Sequence, residues 1–163
     1  MPVLDLEQAA RLVKTLRASG RRVVFTNGVF DLLHPGHVRY LRTARAEGDA
    51  LIVGVNADRS VRANKGPDRP VHPEAERAEL VAALAAVDAA VIFEEETPHA
   101  IISLLQPDIL VKGADWPADQ IVGRDIVEAR GGRVVRVPVE AGYSSSALIA
   151  RIRRTGARGT KTD

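Results

Sequence analysis

Two histidines stand three residues apart in the segment TNGVFDLLHPGH, which runs from Thr26 to His37. Proline is favoured at the first position of a helix, so the pair His34 and His37 is predicted at a helix N-terminus. The unpaired N–H groups there carry partial positive charge, and side chains three residues apart can face one side. Gly36 leaves space where a Cβ would meet a ligand. The segment therefore favours a phosphate site over the alternative of a capping histidine beside an unrelated surface histidine.

Two later segments carry groups that can bind phosphate. Lys65 lies in the segment NKGP, which is predicted to be a loop, and its ammonium could follow a phosphate as a compact charge. The alternative is that Lys65 is a solvated loop charge. Ser144, Ser145 and Ser146 follow Gly142 at the predicted start of the last helix. One of them is expected to cap that helix, and three hydroxyls at a helix N-terminus can also bind a phosphate.

These segments belong to a regular alternation of strands and helices. Apolar runs rich in β-branched residues predict strands over 22–26, 50–56, 89–93, 108–112 and 133–137. Apolar residues at helical spacing predict helices over 4–19, 35–47, 73–86, 98–105, 119–130 and 144–154. Gly48 is predicted to end the second helix as its C-terminal cap, and 59–71 is predicted to be a loop.

Continuous apolar strands that alternate with helices are typical of a parallel sheet covered on both faces. We therefore expect one α/β domain over 1–154, with a Rossmann-like, doubly wound parallel sheet of about five strands, and a flexible basic tail over 155–163. Ligands of such sheets bind beyond the carboxyl ends of the strands, near the point where the strand order reverses. The loops after the strands, including the KGADW segment from Lys112 to Trp116, are thus expected to meet in one site.

The composition excludes several classes of protein. The chain has no cysteine, which rules out disulfide scaffolds, cysteine nucleophiles and Cys-ligated metal sites. It has 23 basic and 21 acidic side chains, and five of the basic ones lie after residue 150, so the remainder is nearly neutral. This balance and the aromatic content of 4% argue against nucleic-acid binding. No apolar run is long enough for a membrane span, and the first residues do not resemble a signal peptide, so we expect a cytoplasmic protein.

The segments quoted above resemble a known superfamily. HPGH at 34–37 matches the HxGH signature of the nucleotidyltransferase superfamily, and NGVFDLLHPGH is similar to its cytidylyltransferase-like branch. Further similarity lies in GD at 48–49, VNAD at 55–58, KG at 65–66, RPV at 69–71, Arg77, LVKGAD at 110–115 and GYSSS at 142–146. Over residues 5–154 the pattern most resembles the adenylyltransferases that act on D-glycero-β-D-manno-heptose 1-phosphate, which occur free-standing or fused to a kinase.

The resemblance implies a reaction and a role for each matched residue. A sugar phosphate would attack the α-phosphorus of ATP to give ADP-heptose and pyrophosphate, and this reaction needs positioning and electrostatic stabilisation rather than a covalent nucleophile. The residues implied as catalytic are His34, His37 and Lys65. Those implied to bind the nucleotide are Asn27, Gly28, Phe30, Gly36, Lys112, Gly113, Asp115, Ser144, Ser145 and Ser146. Those implied to bind the sugar phosphate are Asp31, Arg69 and Arg77.

The residues leave several roles and partners open. Arg77 could equally be structural, and Phe30 could pack the loop rather than contact a ligand. Mg²⁺ is expected to enter mainly on the ATP phosphates, without a protein metal site, and the resemblance implies a homodimer that binds neither nucleic acid nor membrane. The alternative enzymes are an FMN adenylyltransferase of the FAD synthetase type and a glycerol-3-phosphate cytidylyltransferase. The alternatives outside catalysis are a nucleotide sensor on the same fold and a nucleic-acid binder that uses the basic tail.

Overall fold

The computed structural model describes residues 2–140 and 142–156, and the predicted basic tail lies outside the described residues from residue 157 on. Strands β1 to β6 span Val3–Leu4, Val23–Gly28, Ala50–Asn56, Ala89–Phe93, Ile109–Gly113 and Arg133–Val137. Helices α1 to α7 span Leu6–Ala18, Pro35–Ala46, Asp58–Lys65, Glu74–Ala82, His99–Leu105, Arg124–Ala129 and Ser145–Gly156. Within the described ranges, no helix is both long enough and apolar enough to cross a bilayer.

The six strands form one parallel sheet in the order β1-β4-β3-β2-β5-β6. The chain builds outward from β2 through β3 and β4, then returns to the other side of β2 to add β5 and β6. The strand order therefore reverses between β2 and β5, which is where sheets of this kind bind ligands. The predicted doubly wound parallel sheet is confirmed.

The sheet has one strand more than predicted, because the start of the chain forms β1. Val3 and Leu4 pair with β4 at the edge of the sheet, so residue 4 does not belong to the first helix. That helix begins at Leu6 instead. The carboxylate of Asp5 accepts the N–H of Gln8, and the Gln8 side chain accepts the N–H of Asp5. This reciprocal cap ends the strand and starts the helix within two residues.

Helices cover both faces of the sheet, which is why its strands are apolar on both sides. Along β2, Val23 and Phe25 face the apolar cluster that includes α1, α5 and α6, whereas Val24 faces the cluster that includes α2 and α4. In β3, Ile52 belongs to the first cluster and Leu51 to the second. All five side chains are completely buried. The sheet is therefore a close-packed base for the loops at its carboxyl end.

Two predicted features take a different form. The first part of the segment predicted as a loop over 59–71 belongs to α3. Lys65 is the last residue of this helix, and Gly66 caps it with a φ of +90°. The helix sequence DRSVRANK has Val61 as its one large apolar side chain, so apolar residues alone do not mark it as a helix. Gly48 does not adopt the positive φ of a C-terminal cap. It is required there because a Cβ would lie only 2.7 Å from Cγ2 of Val24.

Candidate active site

A cavity of about 810 Å³ opens at the carboxyl end of the sheet, where the loops after β2, β5 and β6 meet the N-termini of α2 and α7. Every predicted site residue except Lys112 and Arg77 lines it. The predicted residues on its wall are Asn27, Gly28, Phe30, Asp31, His34, Gly36, His37, Lys65, Arg69, Gly113, Asp115, Ser144, Ser145 and Ser146. The topology thus brings segments that are up to 119 residues apart in sequence (146 − 27 = 119) into one wall.

The two histidines form a stacked pair at the N-terminus of α2. The ring centroids of His34 and His37 are 3.7 Å apart and the rings are inclined by 18°. His34 occupies the cap position, and Pro35 is the first helical residue, as the sequence predicts. The Nδ1 atoms of both rings are buried and form no hydrogen bond with any residue that the structure describes. Two imidazoles therefore face one side of the helix N-terminus with hydrogen-bonding capacity to spare.

Both histidines are neutral at neutral pH. Burial lowers the pKa of His34 below its ordinary value, and the effect of its own backbone only partly offsets this. Burial, the charge of His34 and the charge of Lys65 lower the pKa of His37 to about 4. An anion bound beside these rings would oppose these effects, since a negative charge favours imidazolium. The site is thus built to respond electrostatically to a phosphate.

Gly36 lies where the two helix N-termini come closest. A Cβ at Gly36 would lie 2.9 Å from Cβ of Tyr143 and 3.0 Å from Nδ1 of His34. The glycine is thus required by the neighbouring protein segment, in addition to the ligand contact for which it is predicted. Tyr143 in turn lies near the first histidine, with a distance of 6.1 Å between its ring centroid and that of His34.

Phe30 supports the histidine pair from below. Its residue adopts a φ of +49°, its side chain is buried, and its ring meets that of His37 edge-on at 5.3 Å. Gly28 is required by this packing, because a Cβ there would lie 3.0 Å from the ring of Phe30. Phe30 therefore packs the loop, the alternative that the sequence left open, while one edge of it reaches the cavity.

Asp31 holds Arg69 rather than presenting a free carboxylate. Its side chain is fully buried and accepts hydrogen bonds from Nε of Arg69 at 2.6 Å and from the N–H groups of Val71 and His72 at 2.7 and 3.1 Å. Burial alone would raise the pKa of Asp31. The hydrogen bonds and the Arg69 charge lower it by more than burial raises it, so the pKa lies below its ordinary value. Asp31 still lines the cavity, and its contact with substrate hydroxyls stays a prediction.

Arg69 connects the β2 loop to the N-terminus of α7. Its Nη1 donates to Oγ of Ser146 at 3.3 Å, while its Nε is held by Asp31. The Oγ of Ser145 donates to the carbonyl oxygen of Leu32 at 3.1 Å. Both contacts tie the serine segment to the histidine loop, so the two helix N-termini face the same cavity at a set spacing.

Ser144 is the N-terminal cap of α7. Its Oγ accepts the N–H of Ala147 at 3.0 Å. The capping role expected for one of the three serines thus falls to Ser144. Because Ser144 caps the helix while Ser145 and Ser146 bond to other segments, the three hydroxyls point in different directions within one cavity wall.

Arg77 lies away from the cavity, contrary to its predicted contact with the sugar phosphate. Its side chain is completely buried and donates to the carbonyl oxygens of His72 and Val29 and to Oδ1 of Asp58, at 2.9, 2.6 and 2.7 Å. A buried arginine whose three nitrogens all donate to internal acceptors joins elements of the fold. Arg77 thus joins the loop after β2, the start of α3 and the turn before α4.

Lys112 also lies behind the cavity wall, contrary to its predicted contact with the nucleotide. Its ammonium donates to Oδ1 of Asn27, and burial lowers its pKa to about 8. Asn27 lines the cavity and Lys112 does not. Lys112 therefore orients Asn27 from behind. Next along the chain, Gly113 and Asp115 do reach the cavity, and Asp115 forms no ion pair with any residue that the structure describes.

Nine residues on the cavity wall were not predicted from sequence, and three of them, Arg39, Glu140 and Tyr143, lie together. Nη1 of Arg39 lies 2.6 Å from the carboxylate of Glu140, and its guanidinium lies 5.3 Å from the ring centroid of Tyr143. Arg39 resembles any other solvated helix arginine in sequence, and Glu140 stands alone in an apolar loop. Tyr143 is the one with a detectable signal, because it lies inside the GYSSS segment.

No cluster of three or more His, Asp or Glu side chains in the described ranges is arranged to hold a metal ion. The carboxylates on the cavity wall are those of Asp31, Asp115 and Glu140. The first and last are paired with arginines, so Asp115 is the carboxylate free to meet a phosphate-bound cation. A Mg²⁺ ion that enters on phosphate oxygens needs few protein ligands, and this wall fits that requirement.

Comparisons with known proteins find relatives over most of the chain. The sequence model of the cytidylyltransferase-like family matches residues 25–152. The chain is 52% identical over 151 residues to the "Bifunctional protein HldE" of Mesorhizobium japonicum, an alignment that covers 93% of this chain and 30% of that protein. It is also 52% identical over 147 residues to the protein of the same name from Gluconobacter oxydans, covering 90% and 31%. The chain thus spans about a third of the length of these relatives.

Two solved structures have a similar fold. The lipopolysaccharide core biosynthesis protein of Thermoplasma volcanium matches with a TM-score of 0.62 and 31% identity, over 74% of this chain and 98% of that one. The pantoate-β-alanine ligase of Francisella tularensis, solved with an ATP analogue and β-alanine, matches with a TM-score of 0.64 over all of this chain and 80% of that one. The identity in the second case is 13%, so it supports the fold alone.

Proposed function

Since the chain belongs to the cytidylyltransferase-like family, we propose that it transfers AMP from ATP to D-glycero-β-D-manno-heptose 1-phosphate and releases pyrophosphate. The observation that carries the proposal is the single cavity shared by the histidine and serine N-termini of α2 and α7, with Lys65 and Arg69 between them. The choice of acceptor rests on the residue pattern over 5–154. The relatives named HldE and the lipopolysaccharide core biosynthesis protein support that choice.

The reaction is a direct displacement at phosphorus. A phosphate oxygen of the acceptor forms a bond to the α-phosphorus of ATP, and the bond from that phosphorus to the bridging oxygen of the β-phosphate breaks. The acceptor phosphate is already ionised at neutral pH, so no covalent nucleophile on the protein is needed. Catalysis consists of holding the two anions together and stabilising the charge that grows on the phosphate oxygens.

We assign that stabilisation first to His34 and His37. Both rings are neutral in the free protein, and their buried Nδ1 atoms form no hydrogen bond with the described residues. As negative charge gathers on the α-phosphate and the leaving group, the rings can donate hydrogen bonds and take up a proton. The N–H groups at the start of α2 add to this effect, because they lie at the positive end of the helix dipole.

Lys65 and the serines hold the outer phosphates. Lys65 ends α3 at the cavity and forms no ion pair within the described ranges, so its ammonium is available to the triphosphate. Ser144, Ser145 and Ser146 present the N-terminus of α7 to the same anion. Asp115 and Asn27, on the β5 and β2 sides of the strand reversal, are assigned to the ribose and base.

Mg²⁺ would accompany the triphosphate. Its charge would screen the phosphate oxygens from one another and favour departure of pyrophosphate. Asp115 is the cavity carboxylate available to contact it. We place the activity in the cytoplasm, where ATP is available. The reaction product, ADP-heptose, would then serve the assembly of a heptose-containing glycan.

The experiment offers ATP, CTP and GTP in turn with heptose 1-phosphate, glycerol 3-phosphate or FMN, and measures pyrophosphate release. We expect release with ATP and heptose 1-phosphate at a kcat/KM at least about 100 times that of any other pair. Release with FMN alone would refute the heptose assignment and favour an FMN adenylyltransferase. Release with CTP and glycerol 3-phosphate alone would refute it in favour of a cytidylyltransferase.

A further inference from the structure

Strands β2 and β5 separate as they approach the cavity. The last backbone pair between them joins Phe25 to Leu110, although β2 continues over 26–28 and β5 over 111–113. On its other side, β2 stays paired with β3 up to Gly28. The strand reversal is therefore a gap between two strand ends, and side chains rather than backbone hydrogen bonds must hold it together.

Two side-chain bridges cross this gap, one on each face of the sheet. On the face covered by α2, the hydroxyl of Tyr40 lies 2.7 Å from Oγ1 of Thr26 and donates to the carbonyl oxygen of Val111 at 3.3 Å. On the opposite face, the ammonium of Lys112 donates to Oδ1 of Asn27. The two faces follow from the alternation of side chains along each strand.

The contact with Lys112 determines which end of the Asn27 amide meets the cavity. An ammonium has three donors and no acceptor, so its partner on the amide must be the oxygen. Burial lowers the pKa of Lys112 to about 8, and at pH 7 the group is still roughly 90% protonated. With Oδ1 directed at Lys112 behind the wall, Nδ2 lies on the other side of the planar amide.

Nδ2 of Asn27 is available to a ligand. Asn27 lines the active-site cavity, whereas Lys112 does not. Nδ2 forms no hydrogen bond with any residue that the structure describes, and it is not buried, unlike the unpaired Nδ1 atoms of the two histidines. The space open to its two N–H donors is the cavity. Only an acceptor atom of a ligand can complement them.

We propose that Lys112 is a positioning residue that fixes the Asn27 amide with its N–H donors toward the cavity, so that Asn27 binds an acceptor atom of the bound nucleotide. The choice of the nucleotide rests on the proposed function, in which Asp115, close to Lys112 in sequence, contacts the nucleoside from the same wall. Asn27 then cannot accept a hydrogen bond from an exocyclic amine of the base. That amine is left to an acceptor such as the carboxylate of Asp115.

The first test compares two substitutions of Asn27 by titration with α,β-methylene-ATP at pH 7. Asn27→Ala removes the donors and should weaken binding about tenfold. Asn27→Asp keeps the size and the contact with Lys112, but it turns an oxygen toward the acceptor atom of the ligand and should weaken binding about 30-fold. Tighter binding by the aspartate variant than by the alanine variant, or wild-type binding by either, would overturn the proposal.

A double-mutant cycle tests whether Lys112 acts through Asn27. Lys112→Met frees the amide to turn and should weaken binding of the analogue about fivefold. In the Asn27→Ala background the same substitution should change the affinity by less than about twofold, because no amide is left to orient. Equal losses in both backgrounds would mean that Lys112 acts by its charge alone, which contradicts the proposal. Lys14→Met, at an exposed lysine of α1, is the control and should match the wild type.

These titrations need no acceptor substrate, so they are independent of the proposed reaction. Failure to turn over heptose 1-phosphate together with the expected binding differences would refute the proposed acceptor and keep the role of Lys112. In pyrophosphate release, Asn27→Ala should raise KM for ATP about tenfold and leave KM for the acceptor within about twofold. A rise confined to the acceptor would refute the contact with the nucleotide. Urea unfolding checks each variant, and if Lys112→Met does not fold, the two Asn27 variants, which keep Lys112, decide the orientation of the amide.

Discussion

Binding of ATP should make the protein take up a proton at His37. In the free protein, burial together with the charges of His34 and Lys65 lowers the pKa of His37 to about 4, so its ring is neutral at pH 5.5. A phosphate beside the ring favours the charged form and should return the pKa towards its ordinary value of about 6.5. The change in pKa on binding is thus upward, and the bound state holds more protons than the free state.

The size of the effect follows from these two pKa values. At pH 5.5 a group with a pKa of about 4 is roughly 3% protonated, and one with a pKa of about 6.5 is roughly 90% protonated. Binding should therefore take up about 0.9 proton at His37 at this pH. By linkage, the affinity for ATP should rise as the pH falls from about 6.5 towards 4, by at most about tenfold per pH unit.

Calorimetric titration at pH 5.5 in two buffers of different ionisation enthalpy measures this proton uptake. ATP itself titrates in this range, so the decisive quantity is the difference between the wild type and His37→Asn, which we expect to be about 0.9 proton. His99→Asn removes an exposed histidine of α5 that lies outside the cavity, and should behave as the wild type. Equal uptake by the wild type and His37→Asn would refute the placement of a phosphate beside His37.

Three further substitutions test other parts of the site. Lys65→Ala should lower kcat for pyrophosphate release at least about 100-fold, whereas Lys14→Ala, at an exposed lysine of α1, should not change it. Arg77→Met should lower the free energy of unfolding in urea by about 3–5 kcal/mol, because it leaves a half-buried carboxylate and two carbonyl oxygens without their donor, and a loss below about 1 kcal/mol would contradict its structural role. Gly36→Ala should lower kcat/KM about tenfold, because its Cβ would lie 2.9 Å from a tyrosine Cβ; wild-type kinetics would contradict this tight approach.

The meeting of the two helix N-termini could be predicted because it depends on topology alone. His34 and His37 follow β2, and the three serines follow β6, so both segments lie at the carboxyl edge of a parallel sheet. The apolar runs identify the buried strands. The histidine and serine segments indicate which loops lead into the N-terminus of a helix. No side-chain contact is needed for that inference, since parallel strands all end at the same edge.

The short or polar elements could not be predicted in the same way. β1 has two residues, so it has no periodicity, and its partner β4 lies more than eighty residues away in sequence. α3 is held by few apolar contacts and by hydrogen bonds such as that from the N–H of Asp58 to Glu74. Lys65 reaches the cavity at the end of this helix, and a segment of eight residues with one large apolar side chain gives too few apolar positions from which to infer the helix.

Three predicted site residues are charged groups whose polar atoms are bonded within the protein. Asp31, Arg77 and Lys112 carry chemistry that suits a ligand, and a resemblance transfers their identity and their place in a loop. It does not reveal which hydrogen bonds their polar atoms form within the protein. A charge beneath a close-packed sheet edge is costly unless it is paired. Asp31 accepts three hydrogen bonds, Arg77 donates three, and Lys112 bonds to Asn27.

That layer explains how the cavity keeps its shape while its own ligand groups stay free. Arg69 and Asn27 reach the cavity because Asp31 and Lys112 hold them from behind, and the histidine rings stay unpaired because the buried ring of Phe30 supports them instead of a polar group. Loss of a residue in the lower layer would therefore displace groups that contact the substrate. The same sequence signature thus includes residues whose polar atoms stay unpaired at the cavity and residues whose polar atoms are bonded within the protein, and hydrogen-bond partners are what separates the two.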